Sequence, residues 1–579
     1  MIPDFDGVVT YGDNYYPFNI LKDLDSAGYA AKVREAYDGG VSTDAPLLKE
    51  EKVFSIGGGF MPFFYAIPMK SLWFMEFKDA FLLTKFMFVV LSIIVLYFFF
   101  YYIFEDKLFS GFSTVAIATK MFVTKEMVTA ILIVVGKIIP PLSNAILIIL
   151  GKDSSNLVVI NSLFFGQSRL TPIPAFIYFA LSIWAYLALF NNDKLKSWKY
   201  PLFGSLWAFA LYSYIYYGVL FYIIVGVTVL GLLLKKKYDV ARQFMITGFI
   251  SLLFMIPYIL FLPKTSIDFM TRNYIETGHF LRVFFPEFFL YGIWFIFLFF
   301  ISRYINKGWR WFLGASFISV VIASNLQIIT GVNPQPVHWV QVGLFFVQFF
   351  ILTILYLLYK GFGEPKKALI GVTVILLILG FGWNYQYQVF SQGKMDLDQD
   401  QRDLYDYLDS PQFKNKVIMT DSILLNYHIP IYTPANIFYP QGFGTQVSND
   451  EIWDRAMLTY YYTFHMPEEF EKIIDCKSRG FYDRRQGTEV YLDPLVYMFQ
   501  INYYQPVPKS FIVNRIMENN LYIKEKDCDI IYEEYKDMWR NEPDNPYEVD
   551  YIITEMFLQR DGIKEIKRIG KYNIYEVLE

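Results

Sequence analysis

Three aspartates near the start of the chain carry carboxylates that could do acid–base or metal chemistry. Asp13 follows Gly12 and precedes Asn14 and two tyrosines, so it would sit on a turn beside apolar surface. Partial desolvation there would make the carboxylate a stronger base, although a solvated turn aspartate explains the same residues. Asp4 and Asp6 form an Asp-x-Asp pair that could hold a divalent cation, the one cofactor that the sequence suggests.

A second group of residues could bind a phosphate. The segment Pro263–Pro286 carries Arg272, His279 and Arg282 among aromatic and apolar residues. Arginine and histidine grip phosphate through charge-assisted hydrogen bonds. Basic and aromatic side chains also anchor a membrane protein at the lipid surface, and both interpretations stay open for this segment.

Further along the chain, the segment Asn333–Trp339 places Gln335 and His338 just before an apolar run. A histidine at the mouth of a helix could hydrogen-bond a phosphate or a leaving group. The alternative is a histidine that caps the helix or lies at the membrane interface.

Long apolar helices must position these residues. The 579 residues are 55% hydrophobic and 20% aromatic, which is typical of a membrane protein. Phe81–Phe104 and Trp339–Tyr359 are long enough to cross a hydrocarbon layer of roughly 30 Å, and we predict about ten such spans. The other predicted spans are Met127–Leu150, Pro172–Phe190, Leu202–Tyr216, Gly218–Leu234, Phe244–Leu262, Phe288–Tyr304, Phe312–Ile329 and Ala368–Tyr385.

Lysine and arginine positions predict the orientation of the spans. The run Lys235–Lys237 and other basic residues fall in alternate loops, which indicates that those loops are cytoplasmic. A tight hairpin at Tyr214–Gly218 is required to keep this run on the cytoplasmic side. The segment before Phe81, the two phosphate-binding candidates and everything after Tyr385 are then predicted to lie outside the cell membrane. No apolar run precedes Asp4 to export the first segment.

The chain turns polar after the last predicted span, and residues 395–579 have the size of one soluble domain. A helix-like segment at Gln399–Leu408 and strand-like runs at Lys416–Thr420, Tyr551–Thr554 and Lys571–Val577 favour a small α/β domain. The predicted fold is therefore mainly α: a polytopic helical membrane protein of about ten transmembrane helices with a C-terminal extracytoplasmic α/β domain. Its predicted parts are a first loop (1–80), a transmembrane domain (81–390) and that C-terminal domain.

The cysteines and the net charge exclude some classes of protein. Cys476 and Cys528 would form a disulfide or stay as two thiols, and their spacing is not that of a zinc site. The formal net charge of −4 gives no indication of nucleic-acid binding.

Taken together, the acidic first loop, the many spans and the C-terminal outer domain resemble the GT-C class of integral membrane glycosyltransferases. The residues that carry the resemblance are Tyr11–Tyr16, Gly57–Tyr65, Gly166–Gln167 and Gln335–Trp339. The resemblance implies a polyprenyl-phosphate sugar as donor, a membrane-lipid environment, and Asp13 as the base that activates an acceptor of unknown identity. It also implies that Arg272, Arg282 and His338 contact the donor phosphate. Members of the class have a transmembrane helix before the first loop, which this sequence does not show ahead of Asp4.

Two other functions fit the same sequence. A transporter or flippase of a lipid-linked or envelope substrate would place ionisable residues along a path through the bilayer. A non-catalytic membrane protein would use its outer domain to bind a partner.

Overall fold

The structure is a computed structural model. It describes residues 24–39, 48, 61–118, 172–191, 196–260, 275–277, 296, 298, 300–334, 336–378, 397–439, 447–463, 466–473 and 525–578. The helices are α1 (Leu24–Tyr37), α2 (Met61–Ser71), α3 (Phe77–Phe104), α4 (Lys107–Ala118), α5 (Pro172–Asn191), α6 (Lys199–Ser213), α7 (Ile215–Leu234), α8 (Tyr238–Leu260), α9 (Lys307–Ala323), α10 (Gln327–Thr330), α11 (Pro336–Gly361), α12 (Gln399–Leu408), α13 (Ile423–Tyr432), α14 (Asn449–Tyr462), α15 (Pro467–Ile473) and α16 (Glu525–Asn541). Residues 366–378 are also helical. The strands are β1 (Ile275–Thr277), β2 (Val332–Pro334), β3 (Val417–Thr420), β4 (Asn436–Ile437), β5 (Tyr551–Thr554), β6 (Ile563–Ile569) and β7 (Tyr572–Val577).

Two compact units make up the chain. The helical unit contains residues 83–260 and 276–390, and the mixed unit contains residues 4–82, 261–275 and 391–579. The described helices of the first loop therefore belong to the same unit as the C-terminal domain, whereas the sequence predicts two separate parts.

Four of the described helices are long and apolar enough to cross a membrane, which supports the prediction of a membrane protein. They are Phe77–Phe104, Pro174–Asn191, Ile215–Leu234 and Tyr238–Pro257. The predicted span Met127–Leu150 and most of Phe288–Tyr304 lie outside the described residues. The predicted total of about ten spans remains a prediction.

Aromatic side chains fill the core of the helical unit. Trp309 packs against Phe99, Phe312 and Phe349, with ring centroids 5.3 to 6.1 Å apart. Its indole nitrogen donates a hydrogen bond to Thr353 Oγ1 at 2.9 Å, so the buried polar edge of the ring is satisfied. This packing joins α3, α9 and α11.

The predicted hairpin between two spans is present and is tighter than expected. Helix α6 ends at Ser213 and α7 begins at Ile215, with only the extended residue Tyr214 between them. Gly218 lies so close to the backbone and side chain of Leu211 that no Cβ would fit there. Glycine at this position therefore lets the two helices meet immediately after the turn.

One predicted span is two helices in the structure. The apolar run Phe312–Ile329 predicts a single helix, but α9 ends at Ala323 and the short α10 begins at Gln327. The buried side chain of Asn333 donates to the carbonyls of Ala323 and Ser324, and thus satisfies backbone acceptors where α9 stops. A residue outside the run supplies those bonds, so the run alone could not predict the break.

The mixed unit is built on a five-stranded sheet in the order β4-β3-β5-β7-β6. Strand β3 is parallel to β4 and β5, whereas β7 is antiparallel to both of its neighbours. The expected helix Gln399–Leu408 is confirmed as α12, and the expected strands are confirmed as β3, β5 and β7 within one residue. Strand β6 was not expected, because its sequence is charged and most of it is exposed at the edge of the sheet.

Arg34 ties a first-loop helix to the C-terminal part of the mixed unit. Its guanidinium bonds Asp38 at 2.7 Å, Asp409 at 2.5 Å and the carbonyl of Tyr432 at 3.2 Å, and it lies 4.9 Å from the ring of Phe77. Burial would lower the pKa of this group, but the two carboxylates raise its pKa overall and keep it charged. The first helix is thus fastened to the ends of α12 and α13.

Candidate functional site

Most of the predicted site residues lie outside the described part of the chain. They are Asp4, Asp6, Asp13, Arg272, His279, Arg282 and Gln335, and the side chains of Cys476 and Cys528 lie outside it as well. His338 is described, so the candidate site is built from it.

Local sequence places His338 on the first turn of α11. Gly331 ends α10 in the left-handed region, with φ of 73°, and turns the chain toward β2. Pro336 is the first residue of α11, where a missing N–H and a fixed φ suit a helix start. His338 therefore lies at one end of a 26-residue apolar helix.

The segment before this helix is locked by one buried amide. Asn333 donates to Gln327 Oε1 at 2.6 Å and to the backbone at the end of α9, and its own oxygen accepts from Trp339 Nε1 at 2.7 Å. Asn333 and Trp339 are both fully buried. Since buried polar atoms are costly to leave unsatisfied, this network holds the start of α11 against the end of α9.

A tyrosine from a third helix orients the imidazole. The ring of Tyr216, at the start of α7, stacks on His338 with centroids 4.6 Å apart and an interplanar angle of 18°. Tyr216 also meets the edge of Trp339 at 4.9 Å. The stack covers one face of the half-buried imidazole, and the Nδ1 atom of His338 is itself buried. We call Tyr216, Asn333, His338 and Trp339 the His338 cluster.

The His338 cluster can hold a proton donor or acceptor in a set direction. An imidazole hydrogen-bonds phosphate oxygens, and its orientation here is set by the stack on Tyr216, whose ring also contacts Trp339. Sequence reasoning does not single out Tyr216, because aromatic clusters such as Tyr214–Tyr217 usually pack against lipid or neighbouring helices. The available signal was its position at the predicted hairpin turn, close to the predicted mouth of the His338 helix.

Polar side chains also gather at the carboxyl ends of the parallel strands β3 and β5 in the mixed unit. Asp421 follows β3, and its carboxylate accepts a hydrogen bond from Thr554 Oγ1, at the end of β5, at 3.2 Å. Ser422 caps α13, and Asn426 donates to the carbonyl of Thr420 at 2.9 Å. Carboxyl ends of parallel strands often bind ligands, but here Asp421 and Thr554 bond each other, and Ser422 and Asn426 bond backbone groups.

Comparisons with known proteins and a search for metal ligands among the described residues assign no function to the chain. No protein-family model matches the chain, and no curated protein matches it. Among the described residues, no group of three or more His, Cys, Asp or Glu side chains could hold a metal ion. The predicted cation pair, Asp4 and Asp6, lies outside those residues.

Proposed function

We propose that the protein is a membrane glycosyltransferase of the GT-C type, which moves a sugar from a polyprenyl-phosphate donor to an acceptor at the outer face of the cell membrane. The observation that carries the proposal is the position of the His338 cluster at one end of three helices whose basic residues all lie at the other end.

The polarity of these helices supports an outward-facing site. Helix α7 starts beside Tyr216 and ends at Lys235, and a 20-residue helix is about 30 Å long. Helix α9 runs from Lys307 toward Asn333, and α11 runs from His338 to Lys360. Because basic residues favour the cytoplasmic side, the opposite ends favour the outer side. The proposal keeps about ten spans and an extracytoplasmic C-terminal domain.

In the proposed reaction, Asp13 takes the proton of an acceptor hydroxyl. The acceptor oxygen bonds to the anomeric carbon while the bond from that carbon to the donor phosphate breaks, and the electron pair stays on the phosphate oxygen. His338, assisted by Arg272 and Arg282, stabilises that negative charge. Gln335 and His279 would add hydrogen bonds to the donor, which enters from the lipid.

Transfer assays with purified chain in proteoliposomes test the proposal. The readout is release of polyprenyl phosphate from a panel of polyprenyl-phosphate sugars, with membrane extracts as acceptor. We expect Asp13→Asn to lower transfer by roughly 100-fold or more and His338→Gln by roughly 10-fold or more. Tyr216→Phe, which keeps the ring, should retain transfer activity. Tyr216→Leu removes the stack that orients His338, so its transfer activity should fall almost as far as that of His338→Gln. Full transfer by Asp13→Asn, or no release from any donor by the wild-type chain, would contradict the proposal.

One observation favours a second candidate, a transporter or flippase. Lys85 lies within α3 and is only 7% exposed, and ionisable side chains buried in a span often line a transport path. Proteoliposomes loaded with a lipid-linked sugar separate the two functions, because a flippase would move the lipid between leaflets without releasing polyprenyl phosphate. A partner-binding protein would do neither, and its binding would survive Asp13→Asn.

A further inference from the structure

The turn between α2 and α3 presents large apolar side chains to the outside of the mixed unit. Trp73 is 81% exposed and Phe74 is 70% exposed, and Ile67 on α2 is 66% exposed. The two rings meet edge to face at 6.2 Å. A soluble surface rarely shows a tryptophan and a phenylalanine side by side at this exposure, so this group marks an interaction surface.

Hydrogen bonds and packing hold the turn in shape. The N–H of Leu72 donates to Met69 O and the N–H of Met75 donates to Leu72 O, each at 2.9 Å, and Ser71 Oγ donates to Pro68 O at 2.6 Å. On the inner side Met69 is fully buried. Trp73 and Phe74 are therefore presented outward by an ordered turn rather than by a loose chain.

The next residues fix the start of the following helix against the same unit. Phe77 is buried against the ring of Tyr37 at 5.3 Å and beneath the guanidinium of Arg34 at 4.9 Å. Helix α3 begins at Phe77 and continues through 28 residues of strongly apolar sequence, of which little is buried inside the protein. Its exposed side includes Phe86 and Phe98.

The position of Trp73 and Phe74 just before α3 indicates that lipid covers this surface. The exposed apolar side of a membrane-spanning helix is covered by lipid, and Trp73 and Phe74 lie within one turn of the start of α3, which is long and apolar enough to be such a span. Aromatic rings are favoured at the level of the lipid head groups. A water-facing role leaves the two rings unexplained.

We propose that Ile67, Trp73 and Phe74 form a membrane anchor, which inserts into the head-group region of the bilayer and holds the first-loop helices at the membrane surface. The insertion should reach roughly 5–10 Å into the boundary between head groups and acyl chains. The anchor acts by burial of its rings in lipid and does not depend on the proposed transferase activity.

Spin-label depth measurements on the full chain in phosphatidylcholine and phosphatidylglycerol proteoliposomes test the anchor. A cysteine-free background, Cys476→Ser with Cys528→Ser, receives one labelled cysteine at a time. Phe74→Cys reports the anchor, and Phe86→Cys is the hydrocarbon reference. Phe557→Cys is the matched control, because Phe557 is 65% exposed but the described residues 525–578 around it contain no apolar helix.

We expect the label at 74 to collide with oxygen more than the label at 557 and with a water-soluble nickel chelate less, at a depth shallower than the label at 86. Collision rates at 74 equal to those at 557 would overturn the proposal. Low collision rates with both reagents would overturn it too, because they would mean that protein covers the turn.

A second measurement avoids the cysteine-free background. Lipids brominated near the head group quench tryptophan emission by contact, and Trp73→Phe removes one emitter while it keeps an aromatic ring. The emission lost to the brominated lipid, per mole of protein, should be smaller for Trp73→Phe than for the wild-type chain. An equal loss in the two proteins would show that Trp73 does not meet lipid.

Discussion

The helical unit and the mixed unit differ in the charge of the buried polar groups that join their segments. In the helical unit, Ser316, Ser319 and Thr247 each donate to the carbonyl four residues earlier on their own helix. In the mixed unit, buried Arg34 and Arg455 bond groups on other segments, such as Asp409 and the carbonyl of Phe438. Links between segments of the helical unit, such as Trp309 to Thr353 and Trp339 to Asn333, join neutral groups, whereas the mixed unit also uses charged links between distant segments.

This difference predicts different weak points. Apolar helices associate by close packing, so the helical unit should be sensitive to added volume at its closest contacts. The mixed unit should be sensitive to loss of single charges that join segments.

The largest effect is expected from Gly218→Ala. The added methyl would overlap Leu211 on the facing helix, so α6 and α7 must move apart. The expected cost is about 3 kcal/mol, the upper end of the usual range for overpacking. Urea unfolding of the full chain in detergent, followed by tryptophan fluorescence, measures it.

Gly226→Ala is the matched control on the same helix. Nothing lies within 4 Å of a Cβ at Gly226, and alanine is the better helix former. This variant should be as stable as the wild-type chain or more stable by up to about 1 kcal/mol. Equal losses in both variants would show that glycine itself, and not the contact with Leu211, matters in α7.

The mixed unit should respond to Arg34→Met, which keeps an apolar stem and removes the charge. Three hydrogen-bonding partners lose their donor, and two of these are carboxylates that are partly exposed. We therefore expect a cost of about 2–3 kcal/mol, below the cost for a fully buried pair. Hydrogen exchange should rise in α1 and in the last turn of α13.

Arg540→Met serves as the control for Arg34→Met. Arg540 pairs with Asp537 in the same helix, and both side chains are more than 60% exposed. Exposed pairs of this kind contribute little, so exchange in the mixed unit should not change. If Arg34→Met leaves exchange in α1 at the wild-type rate, the link between the first loop and the C-terminal part is not made by Arg34.

Local patterns predicted the elements well because their causes are local. Helix Gln399–Leu408 has a capping box, in which Asp398 accepts from the N–H of Gln401 and Gln401 accepts from the N–H of Asp398. The break at Tyr214 could be predicted from the length of the apolar run Leu202–Leu234. This run is too long for one span, and it is long enough for two spans only if a tight turn joins them.

Contacts between distant segments could not be predicted in the same way. Arg34 and Asp409 lie 375 residues apart, and neither has a neighbour in sequence that points to the other. For the candidate site, the sequence identified His338 as a residue that could meet phosphate, but the stack on Tyr216 and the network of Asn333 and Trp339 depend on how three helices come together. A single sequence does not specify that arrangement.

Low pH should destabilise the mixed unit through protonation of His428. The helical unit should not be destabilised by this protonation. His428 is buried, and Tyr405 hydroxyl bonds its Nδ1 at 2.8 Å. Burial lowers the pKa of His428 from 6.5 to about 3. The unfolded chain therefore binds a proton that the folded chain does not between about pH 6.5 and pH 3, and stability falls as the pH falls through this window. The expected loss is about 2 kcal/mol between pH 6.5 and pH 5.

Replacement of the titrating ring isolates this effect. His428→Gln keeps a hydrogen-bonding side chain without a proton to gain, so hydrogen exchange of α12 and α13 should depend less steeply on pH below 6.5 after correction for the intrinsic rate of exchange. The wild-type chain should show faster exchange in these helices at pH 5 than at pH 7, while α7 and α9 keep their protection. Equal pH dependence in the wild-type chain and in His428→Gln would assign the acid sensitivity to other groups. If α7 and α9 lose protection together with α12 and α13, the two units do not open separately, and the contrast in how they satisfy their buried polar groups has no counterpart in stability.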